Sequence, residues 1–452
     1  MRNDRFVRRL RTADNHVFVE RIDPVSTTCL VDLMRWSTSP QPGFEMPGTT
    51  HRITTHGKEQ NCASRFLRPA VARPVLEHRS KKGGSPFPSR IVSHFITAHC
   101  CSACLALLLL LPTLLFSQER LQEMDYWPTH GWRPGKPAAF GLSQPRLAEA
   151  RTFSEDKATD ALLVIRHGYI VAEWYFEGYK RGQLHESTSM AKSVTSILVG
   201  IALDEGKIRS VGQPAAEYFP EWLQAADPHN RISIVHLLSM TSGLHWDSQE
   251  DTQRMKAGSN WLSYALERPV AVSPGTRWLY SNGDATLLSG IVRKATGASL
   301  FDYGREKLFR PLNLRRIKWG HDDSGTTDGG SGIEATARDY SKIGLLYLKR
   351  GRWEKQQIVS ESWVNLSTRT SPVAKDYAYL WWRFPEGPPA LENAFYAHGA
   401  RGQYLLVIPK LDMVVTRLGR SSPEVNRKYF PRLVELILQS VEKGSAAVVL
   451  PR

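Results

Sequence analysis

"HESTSMAKSVTSILVGIALDEG", residues 185–206, is the stretch on which the reading of this chain turns. Beyond Ser193 it becomes apolar, with Val194, Ile197, Leu198 and Ile201 at helical spacing and Gly206 to end the run. The polar cluster Glu186-Ser187-Thr188 offers a cap, which places Ser189 in the first turn and Lys192 three residues later on the same face. An ordinary capped helix would carry a solvated lysine here. A buried one would hold the amine within reach of the serine hydroxyl. A serine is a poor nucleophile at its own pKa and needs a base, and a lysine serves only when desolvation or a second cation brings its pKa towards neutrality. The helix N-terminus adds positive potential and a backbone N–H suited to an oxyanion. The same Ser-x-x-Lys spacing recurs at Ser154–Lys157 and Ser440–Lys443, in charged surroundings that read as solvated surface.

Two other stretches bear on the choice. In "PGTRWLYSNGDATLLSG" the tripeptide Tyr280-Ser281-Asn282 sits in a Pro/Gly-rich loop just before a helix. A phenol beside a Ser/Lys pair can relay a proton to a leaving group, and an asparagine amide can bind a substrate carbonyl. The ordinary alternative is that Asn282 caps the next helix and Tyr280 packs at a domain edge. In "AFYAHGARGQYLLVIP", His398-Gly399-Ala400 is read as opening a β-strand. Small residues there let a substrate lie against the strand edge and offer an N–H to an oxyanion, whereas His398 alone reads as a hydrogen-bonded structural histidine.

The surrounding pattern places these pieces. "ALLVIRHGYIVAEWYFEGY" is two β-rich runs joined at His167-Gly168, an antiparallel hairpin. "QYLLVIPKLDMVVTRLG" is a second, turning at Pro409–Asp412, and an amphipathic helix with Phe430, Leu433, Leu436 and Ile437 on one face follows it. A helix is expected around Pro145–Phe153. Between the hairpins "SIVHLLSMTSGL", "GDATLLSGIVRKATG", "LFDYGREKLFRPL" and "ATARDYSKIGLLYLKRG" read as helices. Strands at both ends with helices between imply an α/β protein of α+β type: one antiparallel sheet built from the two extremities, with a mainly helical domain inserted. The expected boundaries are 119–205 and 331–452 for the α/β part and 206–330 for the helical part. A cleft between two such lobes is the usual place for a site.

In this order the three elements resemble the serine β-lactamase and penicillin-binding-protein superfamily. The resemblance is nearest to its class C-like branch of esterases, D-amino-acid peptidases and 6-aminohexanoate-dimer hydrolases, and it runs over roughly residues 125–440. It implies a β-lactamase/DD-peptidase-like fold and acyl transfer through a Ser189 ester, with Lys192 and Tyr280 sharing acid/base work and Asn282 orienting substrate. It also implies an oxyanion hole from the N–H groups of Ser189 and Ala400, and requires no metal or organic cofactor. One departure matters. Penicillin-active members usually carry Lys-Thr-Gly or His-Thr-Gly at the third motif, where cation and hydroxyl hold a carboxylate; His398-Gly399-Ala400 has no hydroxyl. An esterase or linear-amide hydrolase is therefore expected ahead of a D-alanyl peptidase, a weak β-lactamase or a non-catalytic peptide- or cell-wall-binding relative. The acidic group Asp247, Glu250 and Asp251 reads as solvated loop charge, with a cleft-lining role that favours an amine-bearing substrate as the alternative.

The 452 residues carry a net charge of +15, but residues 1–93 hold 16 Lys/Arg against 8 Asp/Glu, and the remainder has no long basic run with interleaved aromatics, so nucleic acid is not an expected partner. All five cysteines (Cys29, Cys62, Cys100, Cys101, Cys104) fall in the first 104 residues, leaving the rest without disulfides or a thiol-based site. Leu105–Phe116 is a short apolar run behind a basic cluster, so 94–118 reads as a secretory signal or uncleaved anchor, the one expected membrane contact, and the protein as exported. Residues 1–93, rich in Arg, Pro, Ser and Thr, read as a disordered extension or an upstream stretch outside the true reading frame.

Overall fold

The computed structural model describes residues 126–224 and 228–442. The expectations for 1–93 and 94–118 lie outside these residues. In chain order the chain forms helix α1 (Gln144–Glu155), strands β1 (Thr159–Arg166), β2 (Tyr169–Tyr175) and β3 (His185–Glu186), and helix α2 (Ala191–Asp204). Helices α3 (Ile234–Leu238), α4 (Glu250–Ala257), α5 (Trp261–Leu266), α6 (Asn282–Thr296) and α7 (Leu300–Gly304) follow. Then come β4 (Lys318–Trp319), β5 (Ile333–Ala335), α8 (Ala337–Leu348), β6 (Arg352–Trp353), β7 (Gln356–Gln357), α9 (Glu361–Ser367) and β8 (Trp382–Arg383). β9 (Phe395–Gly399), β10 (Gln403–Ile408), β11 (Met413–Gly419) and α10 (Pro423–Gln439) close it.

The main sheet runs β2-β1-β11-β10-β9-β8 and is antiparallel throughout, so the first and last hairpins meet at β1 and β11, with Leu163 opposite Thr416. His167 and Gly168 take φ of 49° and 81°, the paired left-handed residues that a two-residue hairpin needs for its twist to match the strands. Every residue of β1 and β11 is buried, because both faces of the sheet are covered. Ala161, Leu163, Ile165, Leu405, Val407 and Val414 face α2 and α8. Their alternates Leu162, Val164, Leu406, Ile408, Met413 and Val415 face α1 and α10, where Phe430, Leu433, Leu436 and Ile437 are all buried. The period-2 alternation of a strand thus feeds two cores.

α2 is buried all round from Ala191 to Ala202, and its polar side chains find partners inside, Ser193 Oγ donating to Leu380 O and Thr195 Oγ1 to Gly329 O. Gly200 lets it approach α9, since a Cβ there would lie 2.3 Å from the Trp363 ring. Four local expectations are corrected. The helix expected over 300–312 breaks after Gly304 into a π-helical turn, Arg305–Phe309, which packs Leu308 and Phe309 inward. Ser154 and Ser440 are buried rather than solvated: Ser154 bonds to the Ala150 carbonyl and the Tyr429 hydroxyl, and Ser440 donates to Ile437 O. The cluster Glu186-Ser187-Thr188 does not cap α2, because Thr188 takes φ 45° and the chain enters through a 3-10 turn, Thr188–Met190, that holds Ser189. His398 and Gly399 end β9, with Ala400 in the turn beyond, instead of opening a strand.

Gly200→Ala separates propensity from packing. Intrinsic preference alone would stabilise α2 by roughly 1 kcal/mol. Overpacking against Trp363 is expected to destabilise the fold by about 1–3 kcal/mol instead, measured by urea unfolding, and a gain in stability would contradict the contact.

Candidate active site

Ser189 and Lys192 come together as the spacing requires, with Lys192 Nζ 3.2 Å from Ser189 Oγ. Lys192 as a whole is 1 % exposed. It also donates to the Gly330 carbonyl at 2.9 Å and to Asn282 Oδ1, and it lies 4.8 Å from the centre of the Tyr280 ring. Burial brings the Lys192 pKa down to about 7, against the opposing pull of the Asp328 carboxylate. That pull is weakened because Asp328 is ion-paired with Lys256 and accepts from Gly330 N, Ser331 N and Ser331 Oγ. A neutral amine has two hydrogens and one lone pair. Asn282 Oδ1 and Gly330 O take the hydrogens, which leaves the lone pair directed at the Ser189 hydroxyl.

Tyr280 is pushed up to about 12 by burial, with the Ser189 hydroxyl bonded to it acting in the opposite direction. It therefore stays a phenol at neutral pH. α6 begins directly after it, capped by Ser281, whose hydroxyl accepts from Asp284 N at 3.0 Å. Asn282 is thus the first helical residue rather than the cap, and its side chain is free to bridge Lys192 and Thr252, whose Oγ1 accepts from Asn282 Nδ2 at 2.9 Å. Gly329 and Gly330 let segment 328–331 pass between α2 and α6: a Cβ on Gly329 would lie 2.1 Å from Ala285 O, and one on Gly330 would lie 2.8 Å from Asn282 Oδ1.

The third motif lies against the turn that carries Ser189. A Cβ on Gly399 would stand 2.1 Å from Thr188 Oγ1 and 2.3 Å from Ser187 O, and Thr188 Oγ1 donates to Ala400 O at 3.3 Å. His398 stacks on Tyr404 with centroids 4.6 Å apart, and burial lowers its pKa to about 4. It is uncharged at neutral pH and cannot replace the cation of penicillin-active third motifs. Arg401 pairs with Glu186 at 3.2 Å on the surface.

The acidic group is tied into α4 and its neighbours rather than simply solvated. Asp247 Oδ1 accepts from Gln249 N and Glu250 N at the start of α4, and Glu250 pairs with Arg254. Asp251 is buried, held by Tyr264 Oη at 2.6 Å and Arg268 Nη1 at 3.1 Å. Sequence reasoning missed Gly330, Asp328 and Thr252, together with an aromatic wall beside Tyr280. Trp382 stacks with Tyr280 at 6.0 Å, and Trp278 and Tyr377 approach it at 6.2 Å each. The Gly pair in "TTDGGSG" was the available signal for the first two. A surface depression of about 480 Å³, lined by Asp160, Tyr179, His185, Glu186, Arg401 and Arg420 among others, contains neither Ser189 nor Lys192. Its ionic side chains are paired among themselves, so geometry rather than cavity size marks the site.

Known proteins are similar to this chain in sequence and in fold. The 6-aminohexanoate-dimer hydrolase of Paenarthrobacter ureafaciens is 26% identical over 329 residues, covering 67% of this chain and 83% of that protein. A β-lactamase of Escherichia coli (strain K12) is 30% identical over 131 residues, 29% of this chain and 33% of its own. Among solved structures, a Bacillus anthracis protein assigned as a 6-aminohexanoate-dimer hydrolase superposes with a TM-score of 0.59 at 21% identity, covering 67% of this chain and 86% of that one; the likeness bears on the fold. A family model described as Beta-lactamase matches residues 146–439. The match spans well over half of the sequence: the chain belongs to the Beta-lactamase family and is a serine hydrolase.

Proposed function

We propose that the protein cleaves esters or linear amides through an acyl-Ser189 intermediate. The observation that carries this reading is the third position of the Lys192 amine, directed at Ser189 once Asn282 and Gly330 have taken its hydrogens. Ser189 Oγ attacks the substrate carbonyl while its proton passes to Nζ. The N–H groups of Ser189 and Ala400 receive the oxyanion. Lys192, through the Tyr280 hydroxyl, returns the proton to the departing amine or alcohol. Water then attacks the ester by the reverse of these transfers, so that the proton inventory closes with each turnover. Asn282 meets the substrate carbonyl side, and the third-motif strand end receives its backbone.

Two features favour an ester or linear amide over a β-lactam. The neutral His398 supplies no cation for a carboxylate. Trp278 and Trp382, half-buried beside Tyr280 and backed by the buried Tyr377, offer apolar surface to an acyl chain. A relative matched over 67% of this chain is named a 6-aminohexanoate-dimer hydrolase. The apolar run Leu105–Phe116 behind a basic cluster supports an exported enzyme.

A fluorophosphonate probe followed by mass mapping is expected to label Ser189, with label absent in Ser189→Ala and strongly reduced in Lys192→Ala. A folded protein that takes no label and turns over none of a panel of esters, linear amides, D-alanyl peptides and β-lactams would overturn the proposal. Because only the uncharged amine accepts the Ser189 proton, kcat/KM is expected to rise with pH through about 7 and then stay level, since Tyr280 ionises only near 12. An acid limb near 10 in the pH profile would contradict Lys192 as the base. Lys192→Arg, which cannot give up its proton, is expected to lose about 10²–10⁴-fold in rate.

A further inference from the structure

The turn that carries Ala400 is clamped from behind by a buried arginine. Arg417, on β11, is fully buried. Its Nη1 donates to Arg401 O at 3.0 Å and Gly402 O at 2.7 Å. Its Nη2 donates to Lys157 O at 2.8 Å, Thr159 Oγ1 at 3.1 Å and Ser421 Oγ at 2.6 Å, and the guanidinium lies 4.6 Å over the Tyr429 ring. Among the described residues no carboxylate hydrogen-bonds to it. A buried guanidinium without an ion-pair partner is costly, and one satisfied largely by carbonyls acts as a geometric fixture.

The segment it grips needs fixing. Arg401 takes φ 60° and ψ 15°, and Gly402 follows at φ 83°, two consecutive left-handed residues of which only the glycine adopts that state freely. A Cβ on Gly402 would lie 2.0 Å from Arg417 Nη1, and one on Gly419 would lie 2.4 Å from its Cζ. Gln403 completes the clamp: Nε2 donates to Ala400 O at 3.0 Å and Gly419 O at 2.7 Å, and Oε1 accepts from Gly419 N at 2.9 Å. The carbonyls of residues 400, 401 and 402 are therefore all held from within the protein. On the other side Thr188, the neighbour of Ser189, bonds to Ala400 O.

We infer that Arg417 and Gln403 are positioning residues for the oxyanion hole, locking the left-handed turn after Gly399 so that the Ala400 N–H meets the tetrahedral intermediate formed on Ser189. This rests on the acyl-Ser189 reading. Neither side chain touches the reacting atoms; both act through the backbone of the turn. Loosening the turn leaves the base, the nucleophile and ground-state binding in place and weakens what is felt only in the transition state.

The test uses Arg417→Lys and Gln403→Met in the full chain, with active sites counted by fluorophosphonate titration. Loss of a whole oxyanion donor lowers rate by about 10²–10³-fold, so each variant is expected to lose about 10–100-fold in kcat per titrated site with little change in KM. Affinity for an arylboronic acid, which forms a tetrahedral adduct on the serine, is expected to fall in parallel. If either variant merely has fewer titratable sites, each turning over at the wild-type rate, the role is structural and the inference is overturned. Wild-type kcat and boronate affinity in both variants overturn it as well. A folded wild-type protein that is neither labelled nor active overturns the acyl-Ser189 reading and this inference together.

Discussion

The site depends on one costly act, the burial of the Lys192 amine. Moving its pKa from 10.5 to about 7 corresponds to roughly 5 kcal/mol of differential interaction between its charged and neutral forms. The sign follows from linkage: between about 7 and 10.5 the unfolded chain holds the proton that the folded chain has released. Stability from this group therefore rises with pH across that window, and below it the full penalty applies. The fold bears the cost because α2 is buried on every side and packed against α6, α7, α9 and β9, so the first residues of α2 cannot reach water without losing the core.

The rest of the site follows from what a buried amine requires. It needs acceptors, and the chain brings them from two distant places: Asn282 at the start of α6, and the Gly330 carbonyl on a segment thin enough to pass between helices. It must not be re-ionised by a bare carboxylate, and Lys256 occupies Asp328. The third motif reaches Ser189 by the same economy of atoms, since Gly399 leaves room for Thr188 and Ser187. Close packing of backbone against backbone, more than any network of charges, assembles the candidate site.

Much of this was legible in the sequence. The hairpins announced themselves through alternating apolar runs and His167-Gly168, and the C-terminal helix through the spacing of Phe430, Leu433, Leu436 and Ile437. Ser189, Lys192, Tyr280 and Asn282 were singled out as candidates because few side-chain types suit that chemistry, and the structure brings the four together. What escaped was carried by groups without a side-chain signature. Gly330 contributes a carbonyl, and any residue has one. Trp278, Tyr377 and Trp382 cannot be told from core aromatics by spacing. Thr188 at φ 45° and Arg401 at φ 60° are residue types that give no hint of a left-handed state, so the 3-10 entry to Ser189 and the early end of β9 were hidden. Asp251 looked like loop charge because its partners, Tyr264 and Arg268, lie on the next helix and just beyond it.

The most direct measurement is the titration of Lys192 itself. With lysine labelled by ¹³C at Cε and ¹⁵N at Nζ, and the Lys192 resonance assigned by its loss in Lys192→Met, the amine is expected to titrate with a midpoint of about 7 in the folded protein. A midpoint near 10.5 would mean an ordinary solvated ammonium beside Ser189, and the site could not work as described.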